Sequence, residues 1–207
     1  MIESRRYLRS DVIAFRQTKE KFGGLSNMAS GYPIRISGIS IRTAEALYQA
    51  CRFPHLPEVQ QIIFDQSSPM TAKMRSKPYR DVSRDDWLRV RVPIMKWCLR
   101  AKLIQNWDSF GCLLLRTGSK AIVEDSRKDS FWGAKPEGDL VLEGQNVLGR
   151  LLMELREILR SNPDKLQLVQ PVPIADFTIL GVSVPVLRRI DQSVVFSAEL
   201  ERRSARL

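Results

Sequence analysis

The sequence predicts a mainly α-helical fold: a compact helical domain over residues 1–160 with one small β-hairpin, then a short strand-containing extension over residues 161–207. Three observations predict it. Apolar residues recur at helical spacing as Trp87, Val90, Ile94, Trp97, Cys98 and Ala101, and again as Leu148, Leu151, Leu152, Leu155, Ile158 and Leu159. Each set puts one stripe of a long helix against a core. Strand-like alternation of apolar and polar residues is brief, across Tyr32–Ile36 and Ile39–Ile41. β-Branched residues gather late, in Phe177–Val184 and Gln192–Ser197, after Ser161-Asn162-Pro163 has stopped the last long helix.

Along the chain, Phe22-Gly23-Gly24-Leu25-Ser26-Asn27 reads as a glycine-rich loop, and Ser37-Gly38 as the tight turn of the hairpin. Thr43 can cap a helix from about Ala44 to Phe53, because its hydroxyl can accept an amide proton of the first turn. His55–Phe64 and Pro69–Ser76 read as short helices. Ser83-Arg84-Asp85-Asp86 resembles a capping box ahead of the Trp87 helix. Pro93 should kink or split that helix, since it removes an amide and crowds the preceding turn. Another helix spans Trp107–Arg116 and stops at Gly118. Asn146 stands where the N-cap of a helix from about Val147 to Arg160 belongs, and Gly149 leaves its first turn open to another backbone or a ligand. The extension is expected to pack on the domain, with its arginine-rich end at Arg202, Arg203 and Arg206 mobile.

A net charge of +10, from 33 basic and 23 acidic residues, points to anionic ligands or polyanionic partners. Basic residues cluster from Lys73 to Lys102 and at Arg188-Arg189, which suits solvated helix faces and a nucleic-acid footprint equally. His55 is the only histidine, and Cys51, Cys98 and Cys112 have no metal-type spacing. The chain therefore offers no zinc site and no ordinary serine or cysteine triad, and neither a metal nor another cofactor is expected. An odd cysteine count without a signal segment suits a reducing cytoplasm, and no apolar run approaches a membrane span.

Two stretches carry candidate chemistry. At roughly 100° per residue, Glu45, Gln49 and Arg52 share one strip of the helix after Thr43, with Tyr48 beside them. The strip is either solvent-facing or one wall of a cleft. Downstream, Glu124, Asp129 and Trp132-Gly133 set carboxylates beside an aromatic face, and the helix after Asn146 opens with amides that would favour an anion. Trp132 either fills the core, with Gly133 needed only for a turn, or faces a ligand.

Gly24-Leu25-Ser26-Asn27, Thr43–Phe53, Ser68-Pro69-Met70, Leu99–Leu103, Leu113–Gly118, Val123–Ser126, Asp129–Gly133 and Asn146–Arg156 occur in the order seen in the NADAR, or YbiA-like, family. Over about residues 12–160 the chain resembles that family. The resemblance implies a compact, mainly helical domain that takes ADP-ribose or a related nucleotide and cleaves N-glycosidic bonds. The leading implied activity is that of an ADP-ribosyl glycohydrolase removing ADP-ribose from guanine, with ADP-ribosylated DNA or RNA as partner. The alternatives are an N-glycosidase acting on phosphorylated ribosylamine intermediates of the riboflavin pathway, and a non-catalytic module that binds ADP-ribose or nucleic acid. Carried over by position, Glu45, Glu124, Asp129, Trp132 and Asn146 match polar or aromatic motif positions, with Gly24, Ser26, Asn27, Gln49 and Gly149 around them.

The chemistry of the bond orders these residues. Breaking a ribosyl C–N bond builds positive charge on the sugar, so a carboxylate can stabilise it and activate water while the base leaves with a proton. Glu45 is the first candidate for that carboxylate, and Asp129 and Glu124 come next, suited to orienting hydroxyls or water. Trp132 would stack on a ring, with Tyr48 and Gly133 in the same ligand-binding set. Arg52 would hold phosphate or the leaving group, and the turn from Asn146 to Gly149 would offer amides to a diphosphate. The chain departs from the family twice: Ala44-Glu45-Ala46-Leu47 stands where the family often has Ser-Glu-His-Tyr, and Arg52 where it commonly has lysine. Arginine holds an anion but is a poor amine nucleophile, so a reaction needing only a cation there tolerates the change and one needing an amine does not.

Overall fold

The computed structural model describes residues 3–189, of which 42% are helical and 19% strand. The fold is mixed α/β, which corrects the mainly α-helical expectation. Apart from the expected hairpin, the strands escape a sequence reading because each is two to four residues long, too short to display a run of alternation.

β1 (Arg5–Leu8) and β2 (Val12–Phe15) lead to a single tight turn over Gly23–Leu25 and then to the hairpin of β3 (Ile34–Ile36) and β4 (Ile39–Ile41). Ser37 and Gly38 close that hairpin with φ of 48° and 84°, the backbone that matches the twist of two antiparallel strands. α1 (Ala44–Ala50), α2 (Pro57–Phe64) and α3 (Pro69–Ser76) follow. Thr43 Oγ1 accepts the Ala46 amide at 3.2 Å, as expected of a cap. α1 nevertheless stops short of Phe53, which precedes Pro54 and is disfavoured in helical geometry. α2 begins at Pro57 rather than His55, with the proline in the first turn where its missing amide loses nothing.

α4 (Trp87–Gln105) runs through the centre of the core and packs on α1 and on α6 (Val147–Ser161). All six residues of its expected stripe are buried. That burial on tertiary neighbours outweighs the hydrogen bond lost at Pro93, and the helix is not split there. The expected capping box does not form. Asp86 makes no side-chain cap, because its carboxylate is held by Arg84 and, at 3.2 Å, by Arg89. The segment expected as one helix after Trp107 opens with wider π-type turns over Trp107–Gly111 before α5 (Cys112–Leu115), and Gly118 ends it with φ of 60°.

β5 (Ala121–Glu124), β6 (Lys135–Glu137) and β7 (Val141–Gly144) complete the domain's strands. β7 lies between β1 and β6, antiparallel to both, and β2 runs parallel to β5 with Phe15 opposite Glu124. β5 packs against α6, which fixes the end of the strand beside the α1 face of the core. After α6, β8 (Leu168–Val169) pairs with β11 (Leu187–Arg188) around the hairpin of β9 (Thr178–Ile179) and β10 (Val182–Ser183), and the segment shares one core with α4 and α6. The β-branched segment Phe177–Val184 thus supplies strands, as a hairpin that turns where Leu180 and Gly181 take φ of 49° and 78°. Fully buried Gln60 of α2 ties this hairpin to α1, donating to the carbonyls of Ala50 and Thr178, each at 3.1 Å, and accepting the Leu180 amide. The β-branched segment Gln192–Ser197 and the arginine-rich end lie outside the described residues. Among the described residues no helix is long and apolar enough to cross a membrane.

Candidate active site

A cavity of about 370 Å³ opens where α1, α3, α4, the end of β5 and the loop after Gly23 meet. Its lining includes Ser26, Asn27, Glu45, Tyr48, Gln49, Arg52, Glu124, Asp129 and Trp132, so the α1 strip and the Trp132 segment are brought together. Tyr48 and Trp132 meet edge to face with ring centroids 5.6 Å apart. All seven residues of α1 are buried, so its polar strip faces the cleft and not open solvent. The Glu45 amide donates to the Asn27 carbonyl at 3.0 Å, which ties the glycine-rich loop to the first turn of α1. The Glu45 carboxylate accepts the Gln49 side-chain amide at 3.0 Å and faces Lys73 Nζ at 3.6 Å. Gln49 in turn accepts from Ser76 Oγ at 3.1 Å, so α3 holds both members of the strip in place.

Gly24, Gly133, Asn146 and Gly149 do not line the cavity, and three of them frame β5 instead. Asn146 is fully buried with φ of 49° and makes no side-chain cap. Its side chain donates to the Ile122 carbonyl at 2.8 Å and accepts the Glu124 amide at 3.2 Å. The amides of Asn146, Val147 and Leu148 donate to the carbonyls of Gly133, Phe131 and Trp132, each at 3.0 Å. They are therefore not open to a diphosphate, which removes the expected anion site. A Cβ on Gly149 would lie 2.1 Å from the Ile122 carbonyl, and one on Gly133 2.5 Å from that of Glu124. These glycines let α6 and the Trp132 turn close on β5 and so place Glu124. Asn146→Ala should lower folding stability by about 2–4 kcal/mol, because it strands the Ile122 carbonyl and the Glu124 amide and puts alanine at a left-handed position. Urea unfolding at fixed pH measures it; unchanged stability would remove this role.

Asp129 Oδ1 accepts the amides of Phe131 and Trp132, both at 2.9 Å, which shapes the turn that presents the aromatic wall. Four cations reach the cavity: Arg52, Lys73, Arg80 and Arg91. Arg52 lies 4.5 Å over the Trp87 ring, and Arg91 lies 3.7 Å over that of Phe131. Arg52 Nε is buried without a hydrogen-bond partner among the described residues, and burial lowers the guanidinium's pKa. Burial, reinforced by the Glu45 and Asp129 carboxylates, pushes the Glu124 carboxyl up to about 7. Burial also raises the Tyr48 hydroxyl far above its ordinary range. One carboxyl is thus disposed to carry a proton near neutrality while another faces an ammonium.

The sequence reading missed Lys73, Arg80, Arg91 and Phe131 as individual site residues. The three bases were visible only as members of the Lys73–Lys102 cluster, and nothing local distinguishes them from exposed Arg75 or Lys77. Among the described residues no group of three or more histidine, cysteine, aspartate or glutamate side chains is arranged to hold a metal ion.

The sequence pattern of the NADAR domain matches residues 14–160. The chain is similar to the N-glycosidase YbiA of Escherichia coli (strain K12), 34% identical over 153 residues that make up 72% of this chain and 89% of that protein. It is also similar to the riboflavin biosynthesis protein PYRR, chloroplastic, of Zea mays, at 32% identity over 169 residues, 74% of this chain and 26% of that protein. The NMR structure of the E. coli protein YbiA shares the fold with a TM-score of 0.63 and 35% sequence identity, covering 76% of this chain and 89% of that one.

Proposed function

The chain belongs to the NADAR family, and from that premise we propose that it is an N-glycosidase that hydrolyses the bond between a ribosyl carbon and a base nitrogen. The observation that carries the reading is the convergence of Glu45, Glu124 and Asp129 on one cavity with an aromatic wall and four basic side chains. Glu45, ionised, stabilises the developing positive charge on the ribose and takes a proton from water as the water oxygen bonds to the anomeric carbon. Glu124, protonated, gives its proton to the nitrogen as the C–N bond breaks. Asp129 orients ribose hydroxyls through the oxygen not engaged by the turn, Trp132 stacks on the base, and the guanidiniums hold phosphate.

The finer reading is an ADP-ribosyl glycohydrolase acting on guanine in DNA or RNA. It is supported by the exposed Arg75, Lys77 and Arg89, which belong to the same α3-to-α4 stretch as the lining Lys73, Arg80 and Arg91. The second reading is hydrolysis of a small phosphorylated ribosylamine, favoured by a cavity near the low end of small-molecule sites, which run from about 300 Å³ upward. Release of ADP-ribose from a guanine-modified oligonucleotide, beside release of ribose 5-phosphate from a phosphorylated ribosylamine, tests both. Inhibition by unmodified oligonucleotide supports the first, and indifference to it the second. Binding without turnover of either would make the chain a binding module and defeat the proposal.

Arg52→Ala should raise KM about tenfold with little change in kcat, since a phosphate contact is made equally in ground and transition states. Arg52→Lys should stay close to wild type. Steady-state kinetics of the two variants checks this; a gain in kcat with lysine would show that an amine at this position takes part in the chemistry.

A further inference from the structure

We propose that Lys102 is a positioning residue for the Ser26–Asn27 edge of the cleft. Lys102 lies on α4, fully buried and away from the cavity lining. Its Nζ donates to the carbonyls of Gly24 at 2.7 Å and Ser26 at 3.1 Å. The rings of Tyr32 and Phe110 close round the ammonium, 4.6 and 4.1 Å from it. No carboxylate pairs with it among the described residues, so its compensation comes only from carbonyl dipoles and ring faces. Burial without a counter-charge pushes the Lys102 amine down to about 7, so its charged form is costly here and an apolar side chain would fill the volume more cheaply. What the lysine adds is direction, because its N–H donors fix which way the Gly24 and Ser26 carbonyls of the loop point.

Gly24 belongs to the same device. A Cβ there would lie 2.5 Å from the Tyr32 hydroxyl and 2.5 Å from Leu113 Cδ2, so a side chain would have to displace the tyrosine or the leucine. From the pinned Ser26 the chain passes directly to Asn27, whose carbonyl receives the Glu45 amide at 3.0 Å. The Asn27 side chain is fixed as well, with Nδ2 2.8 Å from Met95 Sδ. Its Oδ1 is buried and has no partner among the described residues, in a residue that lines the cavity. Lys102 therefore acts on the site through Ser26, Asn27 and the backbone of Glu45, and touches no substrate itself.

Amide hydrogen exchange reads this without any assumption about substrate. Lys102→Met should speed exchange across residues 24–28 and at the Glu45 amide about tenfold while leaving α6 unchanged. Because Lys102→Met can fail to fold, Tyr32→Leu, which removes one wall of the cage and leaves the lysine, is measured beside it and should loosen the same amides by a smaller factor. Unchanged exchange in both variants, or acceleration spread evenly over the molecule, would overturn the proposal. A second arm rests on the N-glycosidase reading and uses the guanine-linked ADP-ribose oligonucleotide and the phosphorylated ribosylamine as substrates. On the substrate that wild type cleaves, Lys102→Met should lower kcat about tenfold with KM within about threefold, and should cost less than about threefold on an Asn27→Ala background. Full additivity of the two substitutions would overturn action through Asn27. Absence of turnover in wild type would defeat the functional reading alone, since the exchange arm still decides the role of Lys102.

Discussion

Glu45→Gln is expected to lower kcat by about 10²–10⁴-fold while leaving the fold intact. The substitution removes the charge and the basic oxygen but keeps the local geometry. Glutamine Oε1 can still accept the 3.0 Å hydrogen bond from Gln49, and the backbone bond to Asn27 is untouched. Lys73, 3.6 Å away, loses its anionic partner but is half-exposed and can be solvated. The loss should therefore appear in the chemical step, where a neutral amide neither offsets charge on the ribose nor takes a proton from water. Single-turnover cleavage of both proposed substrates, beside thermal unfolding, separates the effects. Equal cleavage by wild type and variant would remove Glu45 from the mechanism, and a large fall in melting temperature would reassign the loss to structure.

Glu45 was legible in the sequence because it lies on a polar strip within an otherwise apolar helix. Periodicity alone would have sent that strip to solvent, and it is the burial of all seven residues of α1 that gives the strip a functional sense. α4 and α6 were legible for the opposite reason, since long apolar stripes tolerate only one outcome. Apart from the β3–β4 hairpin, which the Ser37-Gly38 turn announced, the sheets were not legible. β1 meets β7 and β2 meets β5 across more than half of the domain, and their four-residue segments have no periodicity of their own. Lys73 was hidden for a related reason: its contact with Glu45 depends on how α3 docks on α1. Asn146 was misread at the level of its partners. A left-handed residue before a helix resembles a cap until the carbonyls of Phe131 and Trp132 are seen to occupy the first-turn amides.

Glu124 should set the alkaline limb of the pH profile. Its carboxyl is raised to about 7 by burial first and by the Glu45 and Asp129 charges next, and the protonated form is the one that can donate to the departing base. Values of kcat/KM should therefore fall as pH rises through about 7, and Glu124→Gln should lose about 10²-fold below that pH and flatten the limb. Stability should move with the opposite benefit. A carboxyl whose folded pKa lies above its unfolded value of 4.5 holds its proton more tightly in the native state. Folding is then progressively disfavoured as pH rises from about 4.5 to about 7, and fully so above. Glu124→Gln, which breaks no side-chain hydrogen bond, should be stabilised relative to wild type at pH above 7 and not below 4.5. Urea titrations at the two ends of that window give the sign directly. Asp129→Asn supplies the discriminating comparison, since it keeps the oxygen that shapes the turn and removes only the charge. With one like charge fewer beside it, Glu124 should ionise more readily and the alkaline limb should shift to lower pH. A limb that stays in place, or moves up, would show that another group carries the proton to the leaving nitrogen.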